Sequence, residues 1–339
     1  MLETAHESRL RTDRTVPSHA MPVLTHPQVV PRAQCHARRA VSVAVVLLAL
    51  ACIAGFRLPA PATAAPLGMN SAYEPGSDWR HLKLVLATLK VSPPKVPVVY
   101  LLGGSAAREA TVSDRDWTDQ LTRLAGTNVR AFNLGTSGQS YDEDLPIVNG
   151  LPAVPGIVLI GVNVGRYTQP RLAEPGSLTW LPGGNPDPVS PATLFRWVQH
   201  RFASDDVGSQ AKKREILNTW LAKRYPVFKR RYVYNARLLD RLIIACQERG
   251  LHPVLVNLPI NRPFIGHALD VPTRRVAATS SAARDKFGIR SWDFVGSVGL
   301  VDRDYVDLWH LVRSGSVKYQ LRLSTKTAVL LHDYGLAGG

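Results

Sequence analysis

Val96-Pro-Val-Val-Tyr-Leu-Leu-Gly-Gly-Ser105 is an apolar run that ends on two glycines and a serine. A short, unbroken apolar run bounded by turn residues is the pattern of a strand buried on both faces. Glycine tolerates backbone angles that a side chain forbids, so Gly103 and Gly104 allow a sharp turn that leaves the Ser105 hydroxyl exposed at the start of the next helix. Similar runs follow at Val129–Leu134, Ile157–Val162 and Pro253–Leu258, with a weaker one at Ile289–Phe294. Helical periodicity lies between and around them at Asp78–Leu89, Asp114–Ala125, Asn235–Arg249, Pro272–Lys286 and Val317–Asp333. Strands that alternate with helices predict an α/β domain with a mostly parallel sheet covered on both faces, here spanning residues 77–335.

The alternation stops over residues 166–234, which read as an insertion or cap. Its last part stacks charge beside aromatic rings, from Lys223-Arg224-Tyr225 to Lys229-Arg230-Arg231-Tyr232. Lys229, Arg230 and Arg231 are therefore candidates for binding an anionic polymer, against the plainer reading of a solvated helix face.

Ahead of the domain the chain changes character twice. Residues 1–39 are polar and rich in Pro, Arg and His, which predicts a disordered arm. Residues 40–56, AVSVAVVLLALACIAGF, carry no charge and follow Arg38-Arg39 directly. Seventeen residues sit between a signal-peptide core and a full span, so three readings compete. A single-pass anchor ranks first, a leader cleaved near Ala62-Thr63-Ala64 second, and a lipoprotein modified at Cys52 third. Six arginines precede the run and only Arg57 follows closely, so the N-terminus is expected in the cytoplasm and the domain outside. Residues 57–76, rich in Pro and Ala, read as a linker.

The formal charge of +15 would suit a nucleic-acid binder, but the expected export argues against that partner. Without residues 1–57 the chain keeps 34 basic and 23 acidic side chains, near +11, which favours an anionic partner at the envelope. Cys246 is the one cysteine of the expected exported part and falls on the apolar face of a helical pattern with Leu238, Leu239, Leu242 and Ile243, so it reads as a packing residue. The histidines are scattered without metal-ligand spacing, and no metal or cofactor is expected. Neither a phosphate-binding Walker loop nor G-x-S-x-G occurs.

In parallel sheets the ligand crevice lies beyond the carboxyl ends of the strands. There the first strand delivers Ser105, the second Asn133-Leu134-Gly135-Thr136-Ser137-Gly138, and the third Gly161-Val162-Asn163. Near the C-terminus stands Asp307-Leu308-Trp309-His310, an Asp placed to orient an imidazole whose other nitrogen faces a nucleophile. Each has a purely architectural reading as well. Ser105 or Asp307 could cap a helix, Gly138 could be a turn glycine, and Asn163 could close an Asx-turn. A second DxxH, Asp78 to His81, precedes the first strand and reads as a helix start.

Ser, Gly, Asn and DxxH in this order at strand ends resemble the four blocks of the SGNH hydrolases, the GDSL esterase and lipase superfamily. The resemblance spans roughly residues 96–315. It implies a three-layer α/β/α sandwich with a flavodoxin-like sheet, Ser105 as nucleophile, His310 as general base and then acid, and Asp307 orienting it. It also implies an oxyanion hole from the N–H groups of Ser105 and Gly138 and the Asn163 amide, and an acyl-enzyme intermediate. Two positions depart from the family: Gly104 stands where its first block has Asp, and Val164 where its third continues with Asp. The anchored layout is similar to that of SGNH-like proteins that modify polysaccharides. The expected function is thus an extracytoplasmic esterase or O-acyltransferase acting on a small acyl, foremost acetyl, ester of an envelope glycan, with a membrane acyltransferase partner in the transferase case. The alternatives are an inactive polysaccharide-binding or assembly protein of this fold, or a basic surface protein adhering to anionic lipid or wall polymer.

Overall fold

The computed structural model describes residues 77–171, 184–196 and 204–337. The arm, the apolar run 40–56, Cys52, the Ala62–Ala64 site and the linker lie outside the described residues, as do parts of the expected insertion. No helix among the described residues is long and apolar enough to cross a membrane.

The chain runs α1 (Ser77–Val91), β1 (Val98–Leu102), α2 (Ser105–Arg108), α3 (Asp114–Ala125), β2 (Arg130–Asn133), α4 (Tyr141–Gly150) and β3 (Gly156–Val162). After β3 come α5 (Pro191–Arg196), α6 (Gln210–Thr219), α7 (Tyr225–Glu248), β4 (His252–Asn257), α8 (Arg262–Ile265), α9 (Asp270–Phe287), β5 (Arg290–Trp292) and α10 (Arg313–Asp333). All four strand pairings are parallel, in the order β2-β1-β3-β4-β5.

A strand's side chains alternate between faces, and the core divides accordingly into two layers. Val98, Tyr100 and Leu102 of β1 and Val158, Ile160 and Val162 of β3 join one cluster with Leu82 and Val85 of α1, Ile147 of α4 and Leu238 and Leu242 of α7. Val99, Leu101, Ile157 and Leu159 join the other with Trp117 and Leu121 of α3 and Tyr319 and Leu323 of α10. Helices thus cover both faces of one parallel sheet, the three-layer α/β/α sandwich with a flavodoxin-like strand order. Because β2 lies on one side of β1 and β3 on the other, successive connections diverge between β1 and β3. That divergence opens a crevice at the carboxyl ends of these two strands.

The crossover from β3 to β4 corrects one boundary. The helix expected to begin at Asn235 begins at Tyr225 and is preceded without a break by a π-helical turn, Trp220–Arg224, and by α6. Tyr225 N–H reaches back five residues to Trp220 O, and Pro226, which has no N–H to donate, follows at once. The basic aromatic segment therefore belongs to the long crossover helix. Its rings face inward: Tyr232 stacks on Tyr167 at 5.2 Å, Phe228 is buried, and Tyr225 packs against Phe228.

A second difference is α4, which the sequence pattern did not predict. Its start is fixed by a capping box: Ser140 Oγ accepts from Glu143 N–H at 3.2 Å while Glu143 Oε2 accepts from Ser140 N–H at 2.6 Å. Pro146 lies inside it, past the first turn. Cys246 is fully buried in the core, and burial pushes its thiol far up from the ordinary range, as befits a packing residue.

Candidate active site

Ser105 is set by the turn after β1. Gly103 has φ 151°, and a Cβ there would lie 2.7 Å from the Ala107 Cβ, so the position takes only glycine without strain. Gly104 is the extended N-cap residue of α2, which leaves Ser105 inside the first turn. The Ser105 hydroxyl caps nothing; it meets His310 Nε2 at 2.8 Å.

His310 lies in the turn before α10, outside any helix. Tyr305 and Leu311 form an antiparallel bridge, Val306 N–H donates to His310 O at 2.8 Å, and Leu308 and Leu311 are fully buried. Asn261 Nδ2 holds the turn by donating to Asp307 O at 3.0 Å. Asp307 then divides its two oxygens. Oδ1 accepts from Trp309 N–H at 3.0 Å and His310 N–H at 2.9 Å, while Oδ2 lies 2.6 Å from His310 Nδ1. With Nδ1–H donated to the carboxylate, Nε2 presents its lone pair to Ser105 Oγ. The other DxxH is wired elsewhere: Asp78 accepts from Arg108 Nε and His81 Nε2 lies 2.9 Å from Asp114.

The expected oxyanion donors sit in the turns after β2 and β3, the strands on either side of β1. Gly138 adopts the left-handed conformation, φ 72°, in the turn after β2, and the neighbouring Gln139 carbonyl lies 3.8 Å from where a Gly104 Cβ would be. Asn163 does close a turn, its Oδ1 accepting from Arg166 N–H at 3.0 Å. That bond uses the oxygen and leaves the Nδ2 donors available, so the two readings of Asn163 are compatible.

Beneath these loops lies a buried ion pair that sequence reasoning missed. Arg166, 2% exposed, pairs through Nη2 with the fully buried Asp144 of α4. Its Nη1 donates to Gly161 O at 2.9 Å, and its guanidinium carbon lies 3.9 Å from the Tyr141 ring centre. Asp144 also accepts from Gln139 Nε2 at 2.5 Å, and Gln139 Oε1 accepts from Thr136 N–H at 2.8 Å. One charge pair thus ties the Gly138 turn to the Asn163 turn. Asn133 makes a comparable brace at the end of β2, donating to Ala107 O and Arg108 O at 2.9 and 3.0 Å.

Charges bias the histidine toward its protonated form. Burial alone would lower its pKa, but the nearby Glu109 and the bond to Asp307 override this and hold it above the usual 6.5. Burial would raise Asp307, but its bonds to the His310 ring and to two backbone N–H groups keep it below the ordinary carboxylate value.

Beside Asn163 a small cleft of about 30 Å³ is lined by Val162, Val164, Leu258, Ile260 and Trp309 among others. Val164, one of the two departures from the family blocks, is buried in the core, and at Gly104, the other, a Cβ would meet only the Gln139 carbonyl within 4 Å. Lys229, Arg230 and Arg231 are not a single basic face. Arg231 donates to Thr168 O at 2.9 Å, Lys229 sits over the Tyr225 ring, and Lys229 and Arg230 are exposed. Of the rings beside them Phe228 is buried, while Tyr225 and Tyr232 remain partly exposed. Among the described residues no group of three or more His, Cys, Asp or Glu is arranged to hold a metal ion.

No family model and no curated protein matches the chain. Among solved structures it is similar to a lipase/acylhydrolase from Enterococcus faecalis, at 11% identity over 69% of this chain and 97% of that one, TM-score 0.39. It is also similar to the esterase EstA from Pseudoalteromonas sp., at 12% identity over 71% and 99%, TM-score 0.35. A GDSL-like lipase from Bacteroides thetaiotaomicron aligns at 10% identity over 74% and 99%, TM-score 0.36. Likenesses this remote add no argument of their own, so the resemblance to the SGNH hydrolases rests on the four blocks of this chain and on where its sheet places them.

Proposed function

We propose that the chain is a serine esterase of the SGNH type, with Ser105 as nucleophile, His310 as general base and Asp307 as its orienting carboxylate. The observation that carries the proposal is the continuous Asp307–His310–Ser105 relay, with heavy-atom separations of 2.6 and 2.8 Å. Ser105 Oγ attacks the ester carbonyl carbon as Nε2 takes its proton. The carbonyl oxygen gains charge and is met by the N–H groups of Ser105 and Gly138 and the Asn163 amide. Collapse expels the alcohol, which receives the proton from Nε2, and leaves Ser105 acylated. Water or a second hydroxyl then enters by the same steps in reverse.

A small acyl group, foremost acetyl, is proposed as the one transferred. Placement outside the cytoplasm rests on the uncharged run at residues 40–56 and the arginines before it. The excess of basic side chains after residue 57 suits an anionic envelope glycan as the carrier of that ester. The test is hydrolysis of a small acetyl ester by the full chain, with Ser105→Ala and His310→Ala as controls. Each substitution should remove nearly all turnover, and the double variant should be little worse than either single one, because the pair acts as a unit. A parent with no turnover would favour the inactive, glycan-binding reading, and turnover surviving in Ser105→Ala would exclude the mechanism.

A further inference from the structure

Glu109 lies four residues after Ser105, one helical turn on, and its N–H donates to Ser105 O at 3.0 Å. Residues so spaced share a helix face, so the face that offers Ser105 to the histidine offers a carboxyl group one turn further along. That group is 2% exposed. Its Oε1 receives Arg108 Nη1 at 3.3 Å, but Arg108 makes the closer pair through Nε with Asp78 of α1, at 2.8 Å. Its Oε2 is buried with no partner in the protein among the described residues. From the other side Leu311, next in the chain to His310, comes close to the carboxyl group. The Glu109 backbone is pinned as well, since Ser316 Oγ of α10 donates to its carbonyl at 2.7 Å.

A buried carboxylate with one oxygen unbonded costs stability, and such groups are retained where their charge has a task. The charged groups that face it are Arg108, His310 and Asp307, with Asp78 behind Arg108. Only His310 among them changes charge during the proposed reaction. We infer that Glu109 is a second carboxylate of the site, a positioning residue that acts through His310 by favouring the imidazolium formed when Ser105 gives up its proton. Asp307 fixes the ring from Nδ1, and Glu109 adds field from beneath the nucleophile's helix. This inference rests on the serine-esterase reading. Burial drives the Glu109 carboxyl up to about 7 against the pull of His310 and Arg108, while Glu109 is the foremost influence holding His310 high. The titrations of the two groups are therefore coupled.

The test is an NMR titration of the ring-labelled His310 in the full chain, comparing the parent with Glu109→Gln and Glu109→Asp. Glu109→Gln keeps the shape and removes the charge, and should lower the His310 midpoint by about one unit. Glu109→Asp keeps the charge and should retain most of the parent value. In turnover, Glu109→Gln should lower kcat with little change in KM, and the acid limb of kcat/KM should move down in step with the midpoint. A purely architectural Glu109 would alter activity or melting and leave the midpoint where it was. An unchanged midpoint in Glu109→Gln overturns the inference. Should Glu109→Gln not fold, an ordinary histidine midpoint in Glu109→Asp does the same. The titration needs no turnover, so a parent without esterase activity would defeat the functional reading while the coupling is still read.

Discussion

Replacing Asp144 by Asn leaves the Arg166 guanidinium buried, charged and without its counter-ion. The structure gives Arg166 little else to turn to: the Gly161 carbonyl at 2.9 Å, the face of Tyr141, and 2% exposure to solvent. Breaking a buried pair from one side costs about 3–5 kcal/mol, against a total stability of about 5–15 kcal/mol for a typical domain. At about 2–4 °C per kcal/mol for a domain of this size, the melting midpoint should fall by about 6–20 °C. The paired change Asp144→Leu with Arg166→Met removes both charges and should cost less than the two single changes added together. The fold cost should carry a functional one, because Gln139 and Asn163 depend on the same pair for their placement. Ester turnover should therefore fall in Asp144→Asn even well below its melting midpoint. Thermal denaturation of the parent, Asp144→Asn, Asp144→Leu, Arg166→Met and the Leu/Met double, with turnover at a temperature where all are folded, measures both effects. Single and double changes that add to within about 0.5 kcal/mol would refute the idea that one ion pair braces the two turns.

Asn163→Ala removes a side-chain donor and should lower kcat by about 10²–10³, with KM nearly unchanged, in steady-state assays. Activity requires neutral His310, whose pKa lies above 6.5, so kcat/KM should fall as pH drops through a midpoint above that value. Glu109 binds its proton more tightly folded than unfolded, its pKa raised from 4.5 to about 7. Its contribution to stability should therefore decline as pH rises across that window, and denaturant titrations should show the decline missing from Glu109→Gln. Gly103→Ala forces a Cβ to within 2.7 Å of the Ala107 Cβ at φ 151°, and should lower both the melting midpoint and the ester turnover.

The sheet was legible because β1, β3 and β4 are buried on both faces, which leaves continuous runs of Val, Leu and Ile that few other environments require. The triad was legible because its members stand at strand ends and in a short local motif. The helix α4 was not, since Tyr141-Asp-Glu-Asp-Leu-Pro mixes three acids with a proline. The Ser140-x-x-Glu143 capping box was the available signal. The true start of α7 was missed because Tyr225–Tyr234 sets Lys229, Arg230 and Arg231 among its rings and only Phe228 of that stretch is fully buried, so no apolar face stands out. Arg166 and Glu109 carry no sequence signal of their own. Each reads as an ordinary surface charge, and only the packing of distant elements makes it buried.

The proposed chemistry makes Ser105 a nucleophile activated by His310 and Asp307. Incubation of the full chain with a fluorophosphonate, followed by intact-mass and peptide mapping, tests it without knowledge of the natural ester. One phosphonyl group should appear on the peptide carrying Ser105, its rate rising with pH as His310 loses its proton, and it should be missing from Ser105→Ala and much slowed in His310→Ala. No adduct on the folded parent, or an adduct on another residue that persists in Ser105→Ala, would contradict the account.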